Sequence, residues 1–397
     1  MGTAMRQQLV EAKPIKVLSV SHSAMKDSSE RLRYSHLASG SDIDLTLVVP
    51  QKWEQFGHEL VADPPSLSLD IRVMPIRLSK VGKAKWYMHY YPGLSELVED
   101  LRPDILHMWE EPWSVVALQA ARICKRATPA PALVLETEQN ILYRLPPPFE
   151  QIRRYTLGSA DALIGRQPEA LSVCRECGYK GEGIVVEYWA DPERFFPQDR
   201  ADARAEFDMH GFTIGYVGRL SEEKGLFTVL EALRLCANNV RFVALGEGPD
   251  QQRLMRRAQE LDLGDRVQFL PPAKSERVAR FINALDAFIL MSITRTTWKE
   301  QFGRVIMEAQ ACGVPTIGSS SGAIPSVVGS AGWVVQESDA PGLSRLLDHL
   351  AVSPEEIKAK STAGIHQARS RFSADRIAAG LTSAYREAMR SRSFKTA

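Results

Sequence analysis

Two carboxylates, Glu300 and Glu308, are separated by seven residues in the stretch from Trp298 to Pro315, and Gly303 lies between them. A glycine ahead of an apolar-periodic run opens a helix, and the first amide hydrogens of a helix have no carbonyl partner within it. With no Cβ at that point a ligand can approach the backbone, and the helix dipole favours an anion such as phosphate. The spacing predicts that Val305, Ile306 and Ala309 face a core, that Gly313 supplies a left-handed cap, and that Pro315 stops the helix. Glu308 then falls inside the helix and Glu300 in the loop before it. The apolar neighbours of Glu308 leave it little polar face, so it needs partners, and sugar hydroxyls would supply them. One carboxylate can meet hydroxyls on one side of a bound phosphate while the other meets hydroxyls on the opposite side. A nucleoside diphosphate sugar has that layout.

Two cations stand upstream. Arg219 and Lys224 belong to Gly218-Arg219-Leu-Ser-Glu-Glu-Lys224-Gly225, which follows the apolar run Phe212 to Val217 and precedes a helical face of Leu226, Val229, Leu230 and Leu233. Cations on such a loop would neutralise charge developing on a departing diphosphate. Glu222 and Glu223 make a solvated turn the plainer reading of this loop alone, and the downstream carboxylates tip the balance toward phosphate. A third glycine loop, Gly246-Glu-Gly248-Pro249, follows the apolar run Val240 to Leu245. Arg304, next to Gly303, can meet either a phosphate or a carboxylate.

In this order the three motifs resemble the family-4 group of retaining glycosyltransferases (glycosyl transferases group 1), most clearly from about Phe212 to Val335. The resemblance implies the GT-B fold, an α/β architecture of two Rossmann-like, doubly wound domains facing across a cleft. It implies that Arg219 and Lys224 hold the donor diphosphate and that Glu300 and Glu308, an E-x7-E pair, bind the donor sugar and the ribose. Gly218, Gly246, Gly248, Phe302, Gly303 and Arg304 become candidates for the nucleotide site. Ser319 to Gly322 fall on the far side of the cleft, and Ser326 follows Pro325 where the family often has a glutamate. The first domain departs further. Members commonly carry a Gly-Gly loop after the first strand, facing the diphosphate, whereas this chain reads Ser21-His22-Ser23-Ala24-Met25. Where many members present a histidine near the anomeric carbon, it reads Leu135-Glu136-Thr137-Glu138-Gln139-Asn140. Glu138 is the candidate for that place, with Glu136 close behind and His107, at another strand end, as a third choice.

The elements that must hold these groups follow from length and periodicity. At 397 residues, with 44% hydrophobic and 24% charged residues, the chain is an ordinary globular composition too long for one core. Short apolar strand runs at Ile15–Ser21, Ile43–Val49, Leu69–Met74, Asp104–Met108, Ala132–Leu135 and Ala162–Ile164 alternate with helical patterns, which predicts a parallel sheet covered on both faces. A second alternating unit has strands near 212, 240, 267, 286, 314 and 332. The aromatic, proline-containing stretch 186–200 reads as the connection. We therefore expect a tail over 1–14, an N-terminal acceptor domain over 15–190, and a C-terminal donor domain over 191–372. By the resemblance, a last helix over 373–390, with Ile377, Leu381 and Tyr385 on one face, returns to the first domain.

Charge and composition narrow the partners. A net charge of +1 argues against nucleic acid. No apolar run approaches the ~20 residues of a membrane span, no signal-peptide core is visible, and the five cysteines lack a framework spacing, which together suggest a cytoplasmic setting. Cys174 and Cys177 have no second pair or nearby histidine to complete a zinc site. No metal and no cofactor are expected, since Arg219, Lys224 and helix amides can balance a UDP- or GDP-linked donor without a histidine cluster or an Asp-x-Asp. Lys80 to Tyr91 interleaves cations and aromatics, which suits a weak contact at the inner membrane surface or the acceptor side of a cleft. The expectation is transfer of a sugar, with retention and by front-face attack, to a carbohydrate or lipid-linked hydroxyl, the donor's β-phosphate oxygen taking the proton. The competing readings are an epimerase or phosphorylase on the same fold and a nucleotide-sugar binding protein without chemistry.

Overall fold

The computed structural model describes residues 13–26, 29–40, 42–55, 58–65, 69–78 and 86–396. Most of the tail Met1 to Pro14, and the lysine-bearing part of Lys80 to Tyr91 (residues 80–85), lie outside them.

In the first half the strands are β1 (Ile15–Val20), β2 (Ile43–Pro50), β3 (Lys52–Gln55), β4 (His58–Val61), β5 (Asp70–Met74), β6 (Arg77–Leu78), β7 (His89–Tyr90), β8 (Ile105–Trp109), β9 (Ala132–Thr137), β10 (Ala162–Gly165) and β11 (Gly183–Val185). Seven of them form one parallel sheet in the order β11-β10-β9-β8-β1-β2-β5. Every residue of β8 and β9 is buried, as strands covered on both faces must be. The pairs β3–β4 and β6–β7 are small antiparallel ribbons, which apolar periodicity does not reveal.

The second half supplies β12 (Thr213–Val217), β13 (Arg241–Leu245), β14 (Val267–Leu270), β15 (Ala287–Leu290), β16 (Thr316–Ser319) and β17 (Gly332–Val335). They form a parallel sheet in the order β14-β13-β12-β15-β16-β17. Both sheets thus reverse their winding beside their first strand, at β1/β8 and at β12/β15. Ligands of open α/β sheets bind beyond the carboxyl ends of strands at such a reversal.

The helix Ala374–Thr396 packs on β9, β10 and the helix Ser29–Ala38 of the first half, with Ile377, Leu381 and Tyr385 buried. Polar groups fasten it as well: Lys395 Nζ donates to Asp161 Oδ1 at 2.8 Å, and Arg386 Nη2 to Asp42 Oδ2 at 2.7 Å. Within residues 86–91, Met88, His89 and Tyr91 are buried, and Tyr87 packs edge-on against Trp113 and Phe149. No helix among the described residues is long and apolar enough to cross a membrane.

Candidate active site

The loops that leave the two reversal points meet around one cavity of about 760 Å³, within the usual size of a small-molecule site. The first half sends His22, Lys26 and Glu30 from beyond β1, Trp109 from β8 and Glu138 from beyond β9. The second half sends Gly218, Arg219 and Lys224 from beyond β12, and Glu300 to Glu308 from beyond β15.

Gly303 begins the helix Arg304–Ala311 with φ +81°, a left-handed conformation that glycine adopts at little cost. A side chain there would place its Cβ 2.9 Å from Leu290 Cδ2. The backbone is thereby brought against the end of β15, and the helix start opens on the cavity. Ile306 and Ala309 are fully buried and Val305 half-buried, while Gly313 follows the helix with φ +73°.

Glu300 is only 8% exposed. Lys224 Nζ donates to its Oε2 at 2.8 Å, and Ser292 Oγ donates to the same oxygen at 2.7 Å. The Lys224 ammonium also lies 4.7 Å from the centre of the Trp298 ring. A cation and a carboxylate that are 76 residues apart in the chain thus form one unit on the cavity wall. Glu308 is half-buried. Burial pushes its carboxyl up to about 6, the Arg304 guanidinium opposes this and Glu30 adds to it. Arg304 is half open to the cavity and pairs with Glu30 of the opposite half. Phe302 is buried between Tyr188 (ring centres 5.0 Å) and Phe372 (5.9 Å). Glu138 lines the cavity and accepts from the Tyr188 hydroxyl.

Some expected site residues stand elsewhere. Gly246 and Gly248 lie behind the Gly218–Arg219 turn rather than on the wall: a Cβ on Gly246 would fall 2.0 Å from Gly218 O, and one on Gly248 2.3 Å from Leu220 O. They let two loops touch backbone to backbone. Ser319 is buried, donating to Ser292 O at 2.5 Å, and Gly322 packs against Glu300 O, so this stretch braces the Glu300 loop. Neither Glu136 nor His107 faces the cavity. Glu136 is fully buried and binds Arg33 (2.9 Å), Arg166 (2.6 Å) and His107 (3.0 Å). Burial alone would raise its carboxyl, but Arg166 and Arg33 hold it far below the usual range. His107, kept neutral by burial, also contacts Ser19 Oγ at 3.1 Å and the Tyr385 hydroxyl at 3.0 Å.

Among the wall residues that sequence reasoning passed over are His22 as a chemical group, Lys26, Glu30, Trp109 and Tyr188. The available signal was topological, because a loop leaving either strand of a reversal point reaches the site. His22 Nδ1 lies 2.5 Å from Glu110 Oε1, and its ring stacks on Trp53 with centres 4.3 Å apart. No group of three or more His, Cys, Asp or Glu residues able to hold a metal ion occurs among the described residues.

Residues 197–366 match the family model described as "Glycosyl transferases group 1". A D-inositol 3-phosphate glycosyltransferase from Segniliparus rotundus is 30% identical over 232 residues, covering 52% of this chain and 50% of that protein. The chain spans about half the length of the curated relatives it matches. Sucrose-phosphate synthase from Thermosynechococcus elongatus has a similar structure, with TM-score 0.72 at 18% identity, covering 94% of this chain and 98% of that one. Anabaena Alr3699/HepE in complex with UDP and glucose has TM-score 0.68 at 17% identity, covering 93% and 98%. The family match overlaps the stretch from about Phe212 to Val335 that carries the three motifs, and the two facing Rossmann-like halves are the GT-B fold.

Proposed function

We propose that this chain, whose residues 197–366 match group 1 glycosyl transferases, moves a sugar from a nucleoside diphosphate sugar to an acceptor hydroxyl. One observation carries the reading: Arg219, Lys224, Glu300, Glu308 and the start of the Arg304–Ala311 helix line a single cavity at the reversal point of the second sheet. The helix amides and Arg219 suit a diphosphate. Glu308 suits ribose hydroxyls, and the Lys224–Glu300 unit lies where the sugar and its leaving oxygen would be.

In this reading Lys224 stabilises charge as the glycosidic C–O bond breaks, and Glu300 fixes the ammonium while accepting from a sugar hydroxyl. Arg219 and Lys224 take the part that a divalent ion plays elsewhere, so turnover is expected to persist in EDTA. Retention of the anomeric configuration is part of the proposal. HepE, named in complex with UDP and glucose, makes a UDP-linked sugar the first donor to try, ahead of a GDP-linked one. The inositol phosphate in a relative's name makes a small polyol the first acceptor to try, with glycans and lipid-linked acceptors after it.

Calorimetry against UDP, GDP and ADP, followed by a transfer and donor-hydrolysis screen with the matching sugar nucleotides, tests this directly. Nucleotide binding at micromolar strength and release of the diphosphate are expected. Lys224→Ala is expected to cut turnover on the order of 10²-fold or more. A near-wild-type rate in that variant would remove Lys224 from its role. Binding with neither transfer nor hydrolysis would leave a nucleotide-sugar binding protein, and an isomerised donor would mean an epimerase.

A further inference from the structure

The stretch from Ile293 to Trp298 is bound to the Lys224 loop along its length without lining the donor cavity. Arg295 N donates to Trp298 O at 2.7 Å and Trp298 N to Arg295 O at 3.3 Å, which closes a tight turn. Ile293 N donates to Glu223 O at 2.8 Å, and Arg295 Nη2 pairs with Glu222 Oε1 at 2.5 Å. Thr294 N and Oγ1 both donate to the Glu337 carboxylate, at 2.6 and 2.8 Å. The Tyr143 hydroxyl of the first half donates to Thr297 O. Glu222 and Glu223, which alone suggest a solvated turn, thus anchor this neighbouring one. Trp298 leaves it half-buried, with the Lys224 ammonium 4.7 Å from its ring centre.

A lysine ammonium on its four-carbon stem is a mobile point charge, and a charge stabilises a transition state best when it is fixed beforehand. Lys224 is held from two directions. Glu300 Oε2 accepts from its Nζ, and Ser292 Oγ holds the same oxygen. The indole face meets the ammonium as well, through the attraction between a cation and an aromatic quadrupole. Lys224 is on the cavity wall and Trp298 is not, so the ring backs the charge rather than offering a surface to a ligand.

We propose that Trp298 is a positioning residue for sugar transfer, holding the Lys224 ammonium where the leaving diphosphate gathers charge. This rests on the glycosyl-transfer reading above. In that step the bond between the anomeric carbon and the β-phosphate oxygen breaks, and its electron pair stays on the oxygen. The acceptor oxygen bonds to the same face of the carbon, and its proton passes to that phosphate oxygen. Lys224 supplies a fixed positive charge throughout and gives up no proton. Without the ring the ammonium keeps its Glu300 partner but gains freedom to swing toward water. The loss therefore falls on turnover more than on nucleotide binding.

The test uses the full chain, UDP calorimetry and release of UDP from UDP-glucose with water as the acceptor. Trp298→Leu keeps apolar bulk and removes the ring face. It is expected to lower kcat about tenfold, with KM for UDP-glucose and UDP affinity changed less than about threefold. Trp298→Phe, which restores a ring face, is expected to recover most of that loss. In a Lys224→Ala background Trp298→Leu is expected to cost less than about a further twofold, because the cation that the ring holds is gone. A ring that only braced the turn would cost the same in both backgrounds. Four results overturn the assignment: kcat of Trp298→Leu within threefold of wild type, a Phe variant as slow as the Leu variant, an undiminished loss in the Lys224→Ala background, or UDP binding that disappears or falls in step with the rate. A wild-type chain that binds no UDP, or releases none from UDP-glucose, overturns the transfer reading for a UDP-linked donor, and the assignment falls with it.

Discussion

Glu308 illustrates how a side chain suited to a ligand can cost the unliganded fold stability. Its folded carboxyl titrates at about 6, above the ordinary 4.5, chiefly because the surrounding protein disfavours the charge. Proton release between those values costs the folded state stability, and in the proposed function the ionised form, with both oxygens accepting, is the better partner for ribose hydroxyls. Nucleotide affinity measured by calorimetry should fall about tenfold from pH 7.5 to pH 5. Glu308→Gln should flatten that dependence at a uniformly weaker affinity. Glu136 has the opposite sign. Its depressed pKa means that its contribution is present above 4.5 and is lost progressively as pH falls below that value. Glu136→Gln would leave Arg33 and Arg166 buried without a counter-charge, at a cost of about 3–5 kcal/mol in chemical unfolding at neutral pH. The sequence separated these two glutamates only in part. Glu308 could be read because its helical neighbours are apolar. The role of Glu136 could not, because Arg33 is 103 residues away and nothing local announces it.

At the scale of elements, the turn before the Arg304–Ala311 helix brings backbone to the cavity wall through one left-handed glycine. Gly303→Ala keeps every charged group, yet it forces a Cβ into a left-handed backbone with Leu290 at 2.9 Å and Ile306 Cδ1 at 3.2 Å. The left-handed conformation alone costs about 1–2 kcal/mol, and relief would swing the helix start away from β15. The expected outcome is a loss of about 1–2 kcal/mol in urea unfolding together with UDP affinity lower by about tenfold. Intact affinity would mean that the helix amides do not meet the phosphates. This element was legible because a glycine, an apolar face, Gly313 and Pro315 all mark the same helix. The long apolar strands of both sheets were legible for the same reason. The β3–β4 and β6–β7 ribbons were not, since four- and two-residue strands are too short to show a period. The Gly246–Pro249 loop was placed beside the correct strand, but a backbone packing against another backbone leaves no mark in sequence to separate it from a ligand loop.

At the scale of the molecule, the segment from Thr297 to Arg304 belongs to the second half in sequence but is held by the first. Asn140 Nδ2 donates to Glu300 O at 3.1 Å, Lys299 pairs with Glu169 at 2.9 Å, Tyr143 donates to Thr297 O, and Arg304 pairs with Glu30. The pair Glu30–Arg304 crosses the cavity beside the helix start, so in the proposed function Glu30 would compete with an incoming phosphate for the guanidinium and add a negative charge to the same space. Its field also contributes to the raised titration of Glu308. Glu30→Gln should therefore act against the usual direction of a site mutation. It frees Arg304, lowers the Glu308 midpoint, and should tighten UDP binding by about three- to tenfold at pH 6, with a smaller gain at pH 8 where Glu308 is already ionised. Arg304→Ala should weaken binding, and in the double variant the effect of Glu30→Gln should largely vanish, which a double-mutant cycle by calorimetry resolves. If Glu30→Gln weakens UDP binding instead, Glu30 positions Arg304 for the nucleotide, and the clasp between the halves is part of the binding geometry rather than its competitor.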